Sequence, residues 1–169
     1  MRKKIDLVLE KLLIIIMIIM LISVIWQVFS RYILGSPSTL TDEIASYSLI
    51  WLGLYGAAYA TGKELHLAID LIPVTTINKA PIFYSGIVTF AIVIFALMVM
   101  VIGGTNLCYL TFLLKQKSAA LEIPLGMVYS AIPLSGLLIS YYSLDTFIKR
   151  RRTYLKNKNG LYGSTDIGH

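Results

Sequence analysis

His66 and Asp70 stand four residues apart, a spacing that puts a potential ligand pair or proton-exchanging pair on one face of a helix. A convincing zinc site would need more ligands, and the other histidine of the chain is His169. There is no His-Glu-x-x-His run, no Gly-x-Ser-x-Gly elbow and no glycine-rich phosphate loop with its lysine. A single cysteine, Cys108, excludes an internal disulfide and any Cys-x-x-Cys redox or metal pair. The expectation is therefore no metal, no cofactor, no catalytic residue and no enzyme.

Two polar clusters remain. The first comprises Gln27, Arg31, Asp42 and Glu43. Ten residues separate Arg31 from Asp42, so an ion-pair or hydrogen-bond cluster is within reach of the chain. The plainer alternative is a solvated loop whose acids favour the positive end of a helix. The second cluster is Gly62-Lys63-Glu64-Leu65-His66-Leu67-Ala68-Ile69-Asp70. As a helix it would lie in a membrane interface or against a partner; otherwise it is a charged loop.

What positions these clusters is read from four stretches without Asp, Glu, Lys or Arg: residues 12–30, 44–62, 80–114 and 123–144. A helix of about 20 residues crosses the roughly 30 Å hydrocarbon core of a bilayer, and each stretch is long enough. The chain is 57% apolar and only 14% charged, whereas soluble domains carry about 25% charged residues. The fold expected is an all-α integral membrane protein of four transmembrane helices, with short interfacial helices possible between them.

The four spans are expected over Leu12–Ser30, Ile44–Thr61, Ile82–Leu107 and Pro124–Leu144. Residues 1–149 form the transmembrane domain, and residues 150–169 a basic tail expected to be disordered. Span 1 is long for the apolar part of a signal peptide and is followed by no convincing cleavage site, so it is expected to be retained. In span 2, Gly53, Gly56, Ala57 and Ala60 recur at three- and four-residue steps, a pattern that permits close helix packing in lipid. In span 4, Pro133 is expected to kink the helix and free a carbonyl.

Twelve lysines and arginines fall on the side shared by the two termini and the 2–3 connection, against Arg31, Lys115 and Lys117 on the other. Both termini are therefore expected in the cytoplasm. The same distribution accounts for the net charge of +6 without invoking nucleic acid. Gln27, Asn106 and the acids beside the spans, Glu122 among them, leave no carboxylate inside a charge-free run. A self-sufficient ion-coupled transporter needs a more polar interior or broken, repeated helices. A chain of 169 residues without them reads as a subunit.

The order Trp26-Gln-Val-Phe-Ser-Arg31-Tyr32, Asp42-Glu43, Trp51-Leu-Gly53, Gly56-Ala57-Ala58 and His66-Leu-Ala-Ile-Asp70 resembles the small membrane subunit of tripartite ATP-independent periplasmic (TRAP) transporters, the DctQ-like small permeases. Ala120-Leu121-Glu122-Ile123-Pro124 and Tyr129-Ser-Ala-Ile-Pro133 resemble that family's fourth-span region, so the likeness covers about Ile5–Lys149. The family often has Trp just before the acidic pair, where this chain has Leu40-Thr41.

The resemblance implies a scaffold subunit in the bacterial inner membrane, assembled with a large multispanning permease and served by a periplasmic substrate-binding protein. The large subunit would hold the substrate and sodium sites, and the complex would import an organic acid. Arg31 and Tyr32 match the basic-aromatic pair after span 1, Asp42 and Glu43 the acidic pair, and His66 and Asp70 the polar positions after span 2. With Gln27, Gly53, Gly56, Ala57, Ala60, Glu122 and Pro133 they are the candidates for scaffold or subunit contacts. The alternative is a structural or regulatory membrane protein that packs against another without a transport cycle.

Overall fold

The computed structural model describes residues 2–63 and 81–163, and these are helical throughout apart from short connections. Helix α1 runs Arg2–Tyr32, a segment with no glycine or proline to interrupt it. It therefore starts ten residues before the span expected at Leu12 and takes in the charged leading turns. The chain then reverses through Gly35, whose φ of +66° is the left-handed conformation glycine adopts without a Cβ clash. The Ser30 hydroxyl closes this turn by donating to the Ser36 carbonyl at 2.5 Å.

Helix α2 spans Thr39–Gly62 and is capped by extended Ser38, slightly upstream of the start suggested by Thr41-Asp42-Glu43. The third apolar stretch folds as α3 (Pro81–Phe95), a π-helical segment Ala96–Gly103, and α4 (Gly104–Leu113). After a connecting loop, short α5 (Leu125–Tyr129) leads into α6 (Ala131–Gly163).

The break between α5 and α6 falls at Ser130, three residues before Pro133, which lies in the first turn of α6. Proline cannot donate to the carbonyl four residues earlier and crowds it, so the interruption appears upstream of the ring. Helix α6 also runs well beyond Leu144, carrying regular structure to Gly163 through a stretch expected to be disordered. Arg, Lys, Leu and Tyr can all continue a helix once it is nucleated, and α6 is anchored along its first half.

Among the described residues, three helical stretches are long and apolar enough to cross a membrane: Lys4–Tyr32, Gly86–Leu113 and Leu125–Arg152. In α2 the serines, tyrosines and glycines dilute the apolar content, although its 24 residues exceed the length a bilayer requires. Helix α6 is the centre of the bundle. It packs on α2 on one side and on α3 and the π-helical segment on the other, while α1 packs on α2. Within the chain, 44% of its span window is buried, against 11% for α1 and 6% for the third span. Most apolar side chains of α1 and the third span consequently face outward.

The contacts that bring α6 close are made by glycines on both partners. A Cβ on Gly136 would lie 2.7 Å from Met100 Cβ and 3.1 Å from the Ala96 carbonyl oxygen. One on Gly104 would lie 2.9 Å from Ile132 Cγ2 and 3.0 Å from Pro133 Cδ. In lipid, where water no longer drives helices together, such close approach supplies the van der Waals attraction that holds a bundle.

Candidate functional site

At one end of the bundle the loop after α4 is folded around a carboxylate. Glu43 accepts hydrogen bonds from the backbone N–H groups of Ala120 and Leu121, both at 3.0 Å, and from the Ser118 hydroxyl. Ser118 donation holds the Glu43 carboxyl below its ordinary value of 4.5; partial desolvation opposes this, and the backbone donors of residues 119–121 reinforce it. The loop carries two non-glycine residues with positive φ, Lys115 at 49° and Glu122 at 53°, and pairs Lys117 with Pro124 in an isolated bridge. Such conformations cost free energy and persist where surrounding bonds dictate them.

On the neighbouring turn Gln27 Nε2 donates to Asp42 Oδ1 at 2.7 Å, tying α1 to the start of α2. Arg31 and Tyr32 are exposed, Tyr32 to 80%, and Arg31 makes no ion pair among the described residues. Of the first sequence cluster, then, Gln27 and Asp42 are brought together. Glu43 turns instead to the distant loop, and Arg31 forms no ion pair with either acid. Glu122 is exposed within the loop that Glu43 holds.

Below this loop lies an open apolar groove of about 310 Å³ between α1, α2 and the segment entering α5. Ile16, Ile19, Tyr47 and Trp51 form one part of its wall, with Ile123 and Met127 opposite. Trp51 Nε1 donates to the Val128 carbonyl at 3.0 Å, satisfying a backbone acceptor next to the helix break. Pro133 itself packs against Gly104.

The small-residue stripe of α2 does not supply the close contacts inside this chain. A Cβ on Gly53 or Gly56 would meet nothing within 4 Å, Gly53 and Ala57 are exposed, and Ala60 is half-buried. The buried face of α2 is Tyr55, Ala58, Thr61 and Gly62. His66 and Asp70 lie outside the described residues.

The opposite end holds a second polar cluster that sequence reasoning missed. Arg2 Nη1 binds Asp145 Oδ2 at 2.7 Å, and Nη2 donates to the Gly62 carbonyl at the end of α2. The guanidinium carbon sits 5.8 Å from the centre of the Tyr142 ring, and Tyr142 Oη donates to Asp6 Oδ1 at 2.5 Å. Lys149 completes the set by binding Asp145 at 2.7 Å. The start of α1, the end of α2 and the middle of α6 thus meet in one network. The Asp145–Lys149 spacing on one helix was a legible signal. Arg2 and Asp145 are 143 residues apart, and no local pattern connects them.

Neither polar cluster assembles a nucleophile with a base, and no group of three His, Cys, Asp or Glu side chains that could hold a metal occurs among the described residues. The geometry is that of a helical scaffold with fastened ends and outward apolar faces. The family model for "Tripartite ATP-independent periplasmic transporters, DctQ component" matches residues 20–153. The chain belongs to the DctQ family. It is 31% identical over 136 residues, 78% of this chain and 80% of the relative, to a Haemophilus influenzae protein named "Putative TRAP transporter small permease protein".

This DctQ-family chain is thus a membrane-located transporter component of the small-permease type, and its family is not one of enzymes. The match includes the Glu43 loop clasp, the Gln27–Asp42 bond and the glycine contacts of α6. Arg2 and Asp6, from the opposite cluster, precede it.

Proposed function

We propose that this chain is the four-span scaffold subunit of a sodium-coupled secondary transporter that imports an organic acid delivered by a periplasmic binding protein. Both termini lie in the cytoplasm of a bacterium, and α2 is the fourth membrane-crossing helix. The substrate and sodium sites belong to a large multispanning partner, against which the outward faces of this chain pack.

The observation that carries this reading is the outward exposure of the apolar spans in a chain of the DctQ family. The third span buries only 6% of its window and α1 only 11%, so these helices need lipid or another protein around them. The groove beside Trp51 and the open Gly53–Gly56 face are the contact regions for the large permease. The fastened ends favour a fixed scaffold over a moving element, since the Glu43 clasp and the Arg2 network each join segments distant in sequence.

The test is purification of the tagged chain with its native partners, followed by uptake into liposomes with the binding protein supplied. Uptake requires the large partner and an inward sodium gradient. Full uptake by this chain alone would end the subunit reading. Stable assembly with a large partner but no carboxylate uptake under any gradient would favour a structural role.

A further inference from the structure

The end of the bundle that carries Arg2 also carries an unusual charge distribution. Among the described residues, two of its acids are engaged: Asp145 binds Arg2 and Lys149, and Asp6 accepts from Tyr142. Glu10 is exposed. Lys4, Lys11, Arg151 and Arg152 are also exposed, and none of them makes an ion pair among the described residues. Arg2 and Lys149 thus offset the charge of Asp145, while several cations among the described residues at this end stay exposed.

Arrangement matters as much as number. Lys149, Arg150, Arg151 and Arg152 are consecutive on α6, so at about 100° per residue they go round the helix instead of lining one side. They fall where the Leu125–Arg152 span window ends. Exposed Ile148 immediately precedes them, and exposed Tyr154 and Leu155 follow within the next turn. A groove on a partner protein covers one face of a helix and matches a one-sided stripe. A ring of cations mixed with apolar and aromatic groups at the limit of a span is matched by a layer of lipid headgroups, which surrounds the helix.

We propose that this end of the bundle is a binding surface for anionic phospholipids, with the Arg151 and Arg152 guanidinium groups contacting headgroup phosphates and Lys4 and Lys11 adding to the field. Anionic headgroups supply the charge that the engaged acids do not. Because the interaction is electrostatic at a wet surface, it weakens as salt shortens the screening length from about 10 Å at 0.1 M to about 3 Å at 1 M. The proposal depends on the membrane location and not on the transport cycle.

The test uses the full chain reconstituted in vesicles containing equal amounts of phosphatidylglycerol and phosphatidylcholine. The chain is extracted gently and the retained lipids are quantified. Phosphatidylglycerol is expected to be enriched at least fivefold at low salt, with enrichment approaching unity at about 1 M NaCl. The double variant R151Q/R152Q should lower the enrichment severalfold, while R151K/R152K, which keeps the charge, and K115Q/K117Q at the other end should retain it. Equal retention of the two lipids at low salt would overturn the proposal. So would an R151Q/R152Q enrichment unchanged from the parent, including a case in which that variant lost a partner protein instead. An equal fall in K115Q/K117Q would also overturn it, because net charge would then replace the α6 ring as the cause.

Discussion

The Tyr142 ring fills the space that a side chain on Gly62 would need: a Cβ there would lie 2.9 Å from both ring Cδ1 and Cε1. Tyr142 is fully buried and bonded through its hydroxyl to Asp6, so it has little freedom to withdraw. Gly62→Ala is expected to destabilise the chain by about 1–3 kcal/mol, the usual range for overpacking. Gly53→Ala, made in open space on the same helix, should be neutral or slightly stabilising because alanine favours helix. Thermal unfolding of the two variants in detergent checks the contrast. Equal melting temperatures would show that the Tyr142 contact is not constraining.

The Glu43 clasp predicts a response to acid at the loop after α4. Its carboxyl is held below 4.5 by Ser118 first and the backbone donors of the loop, so its contribution is present above the unfolded-state value. That contribution is lost as pH falls below about 4.5 through the lowered folded-state pKa. Cysteine labelling at position 119 in a Cys108→Ala background should therefore quicken over that interval. In Glu43→Gln labelling should be fast at neutral pH and insensitive to acid. A flat profile in the parent chain would show that the loop holds without the carboxylate.

Gly56 separates effects on this chain from effects on assembly. Nothing lies within 4 Å of a Cβ there, so Gly56→Leu should insert and melt like the parent when purified alone. If the large permease packs on this face, the added volume should weaken the complex by about 1–3 kcal/mol and cut its recovery and uptake several-fold. Co-purification and uptake, measured on one preparation, decide the matter. Normal values for both would turn this face toward lipid.

Topology is tested by accessibility in a Cys108→Ala background. Single cysteines at Ser38, Asn78, Lys117 and Gly163 should label from outside, inside, outside and inside, respectively. External labelling at position 78 would remove α2 from the set of membrane-crossing helices and reverse the assignment of everything after it.

The charge-free runs made the helical class and the approximate positions of α1, α3 and α6 legible, because lipid requires continuous apolar helices. Composition alone gave a weaker signal for α2, whose tyrosines, serines and glycines combine span length with modest apolarity. Glycine periodicity pointed to Gly53 and Gly56, whereas close packing inside the chain uses Gly62, Gly104 and Gly136. Spacing marks a face as narrow without naming what approaches it. Gln27 and Asp42, grouped in one candidate cluster, are hydrogen-bonded across a short loop, but Glu43 selects donors more than seventy residues away. That choice depends on tertiary placement and leaves no trace in local sequence.

The π-helical stretch at Ala96–Gly103 bears on how this lineage can change length. A π-helical turn, closed by i→i+5 bonds, accommodates more residues per turn than an α-helix. Below it Gly86 meets Phe147, and above it Gly104 meets Ile132, so both flanks are registered against α6. Loss of one residue between them can be absorbed by tightening the coil to α geometry, with both flanking contacts kept in phase. The same deletion within α3 or α4 would turn every following side chain by about 100°. The third span therefore has one interval that can lose a residue without rotating its flanks, lying between two that cannot.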